Sequence, residues 1–252
     1  MFDLDNLKAP VRSRIEPFLS DVFSKVSTED IASVYVVGSS VTPDFTRNSD
    51  TNTLFIIQGR ALDFVKTVAP LGKRYGRKKV RAPLVMTDEY IQNSLDVFPV
   101  EFLDLRTVNS LVYGPDRLAE LTIDPANLRL QCERELKGRL VSLRQGYTET
   151  AGNEKLIRRM LEEMLSSFIP VFRGLLFLRN KSLSTAKAEV ISSVGHSFEM
   201  DMSCFHTILS VKKGDVTWAR GAGEHTFEGV YAIVEELSNK ADLMEGDLEA
   251  NS

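Results

Sequence analysis

The sequence predicts an α+β protein: a mixed-sheet domain over residues 1–125, an all-α helical bundle over 126–240 and a disordered acidic tail over 241–252. Three observations predict it. Short β-branched runs alternate with helical stretches between Ser33 and Arg106. Apolar residues then switch to a 3.6-residue period from about Leu128, and Asp124-Pro125 interrupts the chain between the two patterns.

In the first half, Ser33-Val34-Tyr35-Val36-Val37-Gly38 is a compact strand-like run ended by glycine, and Asn52–Gly59 is a second. Phe98–Leu105 reads as a third strand, with Pro99 at its entry where no ladder N–H is needed. Between the second and third, Ala61, Leu62, Phe64, Val65 and Val68 form a helical pattern. Val80–Met86 offers a further strand, and Thr87-Asp88-Glu89-Tyr90-Ile91 a capped helix start. Near-continuous apolar strands joined by helices argue for an α/β layer rather than an exposed meander. In the second half, Cys132, Leu136, Leu140, Leu143 and Tyr147 share one helical face. Ile157, Leu161, Met164, Phe168, Phe172 and Leu175 repeat the pattern on a helix that Pro170 is expected to kink. Further helices are expected near Ser184–Val194, Met200–Val211 and Glu224–Leu237, completing an up-and-down bundle. From Ala241 to Ser252 the chain is acidic and poor in bulky apolar residues, which predicts disorder.

The bulk properties narrow the function classes. The 252 residues are 43% apolar and 26% charged, enough to bury one large core or two moderate ones. A net charge of −4 gives no global basic field, so nucleic acid would have to be held by a local patch. Cys132 and Cys204 have no near partner, which excludes a disulfide framework or zinc ribbon and fits a reducing cytoplasm. The N-terminus lacks the basic and apolar regions of a signal peptide, and no apolar run is long enough to span a bilayer. The expectation is a cytoplasmic protein with no membrane partner.

The chemistry is concentrated between Gly38 and Asn52. A strand ends in Gly38-Ser39, a turn follows, and the next strand opens Ser49-Asp50-Thr51-Asn52. Glycine lets a phosphate approach the backbone, Ser39 adds a hydroxyl donor, and N–H groups of the following helical turn supply an anion hole. Residues 50 and 52 project from one face of a strand. Two carboxylates so placed hold two magnesium ions for an in-line phosphoryl displacement.

This arrangement resembles the DNA-polymerase-β-like nucleotidyltransferase superfamily, which carries a Gly-Ser turn followed at this spacing by Ser-Asp-x-Asp. Here Gly38 and Ser39 match the turn, Ser49 and Asp50 match the next element, and Asn52 stands at the second aspartate. The resemblance implies a third carboxylate from a later strand, with Glu101 as the match and Asp104 as its rival; on a regular strand the two face opposite sides. Leu111–Leu118 and the helical second half are also similar to segments of such proteins. Carried over, Gly38, Ser39 and Ser49 bind the nucleotide, and Asp50 and Glu101 are catalytic. Asp50, Asn52 and Glu101 form the magnesium site, weakened because an amide brings no negative charge and cannot act as a base. The implied activity is transfer of a nucleoside monophosphate from a nucleoside triphosphate to an unidentified acceptor. The alternative is a catalytically inactive protein of the same fold, acting as a nucleotide-sensing or partner-binding module.

Three further features read more simply. Lys73-Arg74-Tyr75-Gly76-Arg77-Lys78-Lys79-Val80-Arg81 holds six basic residues in nine. It reads first as a solvated loop, and second as a grip on a triphosphate or an RNA backbone. His196, His206 and His225 lack zinc-ligand spacing and read as cap, core or loop residues. Asp44 and Arg47 read as surface charges.

Overall fold

A computed structural model describes residues 2–244. The chain divides into two compact units, one combining Met1–Leu95 with Asp104–Thr122 and the other Asp96–Leu103 with Ile123–Ser252. The tail expected from residue 241 lies outside the described residues from residue 245 onward. Residues 241–243 complete the last helix, on which Ala241 is fully buried.

The first unit is built on a mixed sheet. It begins with α1 (Ala9–Phe23), an element the sequence pattern did not single out. Val11, Ile15, Phe18, Leu19 and Val22 nonetheless recur at helical spacing, and all are buried. Then follow β1 (Ile31–Val37), β2 (Asn52–Ile57), α2 (Ala61–Gly76), β3 (Leu84–Thr87) and the short α3 (Asp88–Gln92). After α4 (Pro99–Thr107), β4 (Asn109–Tyr113) closes the sheet. The strand order is β3-β2-β1-β4, with β1 antiparallel to β2 and β4, and β2 parallel to β3. Val34 and Val36 of β1 and Phe55 and Ile57 of β2 pack with the apolar faces of α1 and α2. By strand alternation Tyr35, Val37, Leu54 and Ile56 face the opposite side, and they too are buried. A sheet covered on both faces explains the near-continuous apolar runs that made β1 and β2 legible.

One expected strand is a helix. Phe98–Leu105 falls largely in α4, where Pro99 occupies the first turn and so sacrifices no helical hydrogen bond. Val100 and Leu103, three residues apart, are buried as a helical face requires. The helix starts in the second unit and ends in the first.

Among the described residues the second unit is built from helices: α5 (Pro125–Thr150), α6 (Glu154–Leu178), α7 (Lys187–Phe198), α8 (Ser203–Lys213) and α9 (Ala222–Leu243). Asp124-Pro125, next to the boundary between the units, is a helix start. The Asp124 carboxylate accepts from the N–H of Asn127 at 2.8 Å, and Pro125 takes the first helical position. Helix α5 packs on α6 and α9, and α6 also meets α7 and α8. Arg129 is buried with Glu133 at 2.8 Å and also reaches the Ala241 carbonyl, tying α5 to the end of α9. Lys137 joins the same carboxylate, and these cations hold Glu133 below the usual carboxylate range. Among the described residues no helix is long and apolar enough to cross a membrane.

Candidate functional site

The end of β1 and the start of β2 are neighbours because Val37 pairs with Asn52 across the antiparallel ladder. Gly38 follows with φ +74°, a left-handed conformation that glycine adopts without strain, and a single 3-10 turn, Gly38–Val41, comes next. A Cβ on Gly38 would stand 3.4 Å from Nδ2 of Asn52, so the turn and the carboxamide are in contact. The Gly38 N–H is already used, donating to the Val108 carbonyl at 3.3 Å, and the buried Ser40 hydroxyl donates to the Val37 carbonyl. The half-buried Ser39 hydroxyl and the Asn52 carboxamide make no side-chain hydrogen bond among the described residues.

Asp50 precedes Asn52 by two residues, with Thr51 between them buried on the opposite face. The hydroxyls of Thr51 and Thr53 are buried there with no hydrogen-bond partner. Ser49 is spent on the local turn: its hydroxyl accepts from the Thr46 N–H at 3.0 Å. The connection from Thr42 to Ser49 is held from outside by cations. Lys8 donates to the Thr42 carbonyl at 2.6 Å, and Arg14 donates to the carbonyls of Ser49 and Arg47 at 2.8 and 3.0 Å. Both cations also lie over the Phe45 ring.

The end of the basic run is stitched to this site rather than standing apart as a loop. Thr51 bridges Val80 in parallel, donating to the Lys79 carbonyl at 2.7 Å and accepting from the Arg81 N–H at 3.0 Å. Lys79 makes the approach by adopting φ +62°, and its ammonium donates to the Arg47 carbonyl and the Asn48 side chain. Arg81 then places Nε and Nη2 each 2.7 Å from one oxygen of Asp50, Oδ2. The distant partnership of residues 50 and 81 had no signature in the sequence beyond the density of positive charge.

Glu101 lies on α4 in the second unit, where its carboxylate accepts from Gln131 Nε2 at 2.7 Å. The same Gln131 accepts from the Val100 N–H at 2.8 Å, so the amide ties the start of α4 to α5. Glu101 and Asp104 are not on opposite faces of a strand but three apart on a helix. The strand paired with β2 on the side away from β1 is β3, and Leu84-Val85-Met86-Thr87 brings no acid.

The residues present do not fit a pair of magnesium ions. The start of β2 offers one carboxylate, Asp50, and one amide oxygen, Asn52, and a guanidinium already pairs with the carboxylate. Among the described residues no group of three or more His, Cys, Asp or Glu could hold a metal ion. His196 and His206 share Ser192 as a hydrogen-bond partner. Nδ1 of His196 lies 2.7 Å from the Ser192 carbonyl and Nε2 of His206 lies 3.1 Å from the Ser192 hydroxyl, linking α7 and α8.

No protein-family model matches the chain, and no curated protein matches its sequence. Among solved structures it is similar to a spectinomycin adenyltransferase, AAD(9), from Enterococcus faecialis, determined with ATP and spectinomycin. The two are 12% identical, the match covers 89% of this chain and 98% of the other, and the TM-score is 0.54. The chain therefore has the α+β nucleotidyltransferase fold, a mixed sheet followed by helices.

Proposed function

We propose that this protein is a nucleotidyltransferase-fold module that binds the phosphates of a nucleoside triphosphate without transferring the nucleotide. The carrying observation is the charge count at the start of β2. Asp50 is there, Asn52 fills the second position with a neutral amide, and Arg81 occupies the one carboxylate. In-line transfer asks for metal ions that screen both the attacking and the leaving oxygens. With Asn52 in the second position, a pair of ions would have one carboxylate fewer to offset its charge. Binding asks for less. The unbonded Ser39 hydroxyl and Asn52 carboxamide are neutral donors for phosphate oxygens, and Gly38 keeps the backbone approach open. The solved structure with the same fold holds ATP, which supports a nucleotide as the occupant. A module of this kind acts through a partner protein that reads the occupied state.

A second reading keeps the chemistry: one magnesium ion on Asp50 and transfer of a nucleoside monophosphate to an acceptor hydroxyl or phosphate. The retained Asp50 beside the Gly38-Ser39 turn favours it. Incubation with magnesium and labelled nucleoside triphosphates separates the two. The first reading expects a rise in melting temperature with ATP and no pyrophosphate from the wild type, with release appearing only in Asn52→Asp, if at all. Pyrophosphate release by the wild type that disappears in Asp50→Ala would replace it with the second.

A further inference from the structure

Arg81 and Asp50 form an exposed pair. Their side chains are 68% and 36% accessible, and pairs this exposed are weak. Nε and Nη2 both rest on Oδ2. The guanidinium can therefore exchange partners at little cost, and its flat fork suits a phosphate as well as it suits a carboxylate. The main chain around it is fixed: the Arg81 N–H is bonded to Thr51, and Lys79 beside it is held in a left-handed conformation that few side chains adopt. A rigid backbone thus presents an exchangeable cation within reach of Asp50, two residues from Asn52 and the Gly38 turn. In a metal-dependent site, Asp50 would carry a divalent ion instead.

We propose that Arg81 is the resident cation of this site, and that the ligand is a chain of phosphates carried without a divalent ion. Asp50 is then a positioning residue. It holds Arg81 at the mouth of the site until a phosphate displaces it, and the Ser39 hydroxyl and Asn52 carboxamide complete the cradle. This rests on the phosphate-binding reading above and adds how the charge is neutralised. Nucleoside triphosphate and inorganic tripolyphosphate share the recognised chemistry.

The consequence is an inverted sign at Asp50. Where magnesium bridges protein and phosphate, Asp50→Asn removes the ion and with it the ligand. Where Arg81 does so, Asp50→Asn frees the guanidinium and removes a negative charge facing the phosphates, so binding tightens.

The test is a calorimetric titration of the full chain with ATP and with tripolyphosphate, each in EDTA and in excess magnesium. Wild type should bind in EDTA, with magnesium leaving the affinity unchanged or lowering it. Asp50→Asn should bind roughly two- to fivefold more tightly, and Arg81→Gln about tenfold more weakly. Arg81→Lys should fall between, because an ammonium keeps the charge without the fork. Equal affinity for ATP and tripolyphosphate assigns the site to the phosphate chain alone, and tighter ATP with the same Arg81 dependence assigns it to a nucleotide. Binding that needs magnesium and is lost in Asp50→Asn while Arg81→Gln binds normally overturns the proposal and leaves the broader phosphate reading standing. Absence of binding by wild type in both conditions overturns both.

Discussion

At the beginning of β1, Gly114 approaches so closely that a Cβ would lie 2.0 Å from the Ala32 carbonyl oxygen, and the Ser33 and Tyr35 hydroxyls beside it are both engaged. The Ser33 hydroxyl donates to the Pro115 carbonyl at 2.6 Å. The buried Tyr35 hydroxyl lies 3.1 Å from Asp116 Oδ1 and accepts from the Leu118 N–H at 3.2 Å. At the far end of the same strand, Gly38 has ordinary clearance, Ser39 and Asn52 keep unused hydrogen-bonding groups, and the ion pair of Asp50 and Arg81 faces solvent. One glycine is required by packing and the other by access. On the phosphate-binding reading proposed above, the chemically open end of the strand is the end that holds the ligand.

Mutations at the two ends should separate these roles. The largest effect is expected at the closed end. Gly114→Ala drives a methyl into backbone and forces a left-handed φ, so it should cost about 3 kcal/mol or more in urea unfolding. Gly38→Ala meets only the conformational penalty, about 1–2 kcal/mol, and should leave the fold intact while weakening ATP binding. Equal losses at the two glycines would remove the distinction.

Tyr35→Phe should cost about 1 kcal/mol by deleting a satisfied buried hydroxyl. It also predicts a pH effect. Burial raises the Tyr35 pKa from 10.0 to about 12, with Asp116 adding to the rise. The folded value exceeds the unfolded one, so the stabilisation is fully present below pH 10 and is lost as pH rises from 10 towards 12. Stability of the wild type should fall more steeply across that window than stability of Tyr35→Phe. Thr53→Val replaces an unpartnered buried hydroxyl with a methyl and should gain up to about 1 kcal/mol. Smallest of all, Arg81→Gln should change stability by less than about 1 kcal/mol, since its pair is exposed. A larger loss would make Arg81 a structural clamp instead of an exchangeable cation.

How far the sequence carried these features depended on the range of the interactions. The β-branched runs of β1 and β2 and the Gly38-Ser39 turn are local and were readable as such. Val100, Phe102 and Leu103 fit a strand and a helix about equally well, so Phe98–Leu105 was assigned to the wrong period and Glu101 to the wrong element. Pro99 was compatible with either a strand entry or a helix start. The partnership of Asp50 with Arg81 depends on Lys79 turning the chain and on Thr51 bridging Val80, both tertiary facts. Read as sequence, Lys73–Arg81 is only a dense positive charge. Likewise Asp124-Pro125 signals an interruption, and only the hydrogen bond from the Asn127 N–H identifies it as the cap of α5.

The most direct measurement is an amide-resolved NMR titration of the full chain with ATP in EDTA. Shifts are expected at Ser39 to Val41, Asp50 to Asn52 and Lys79 to Arg81, while Ala32, Gly114 and Leu118 at the closed end of β1 stay still. Shifts confined to the helical unit, or spread equally over both ends of β1, would contradict the phosphate-binding reading.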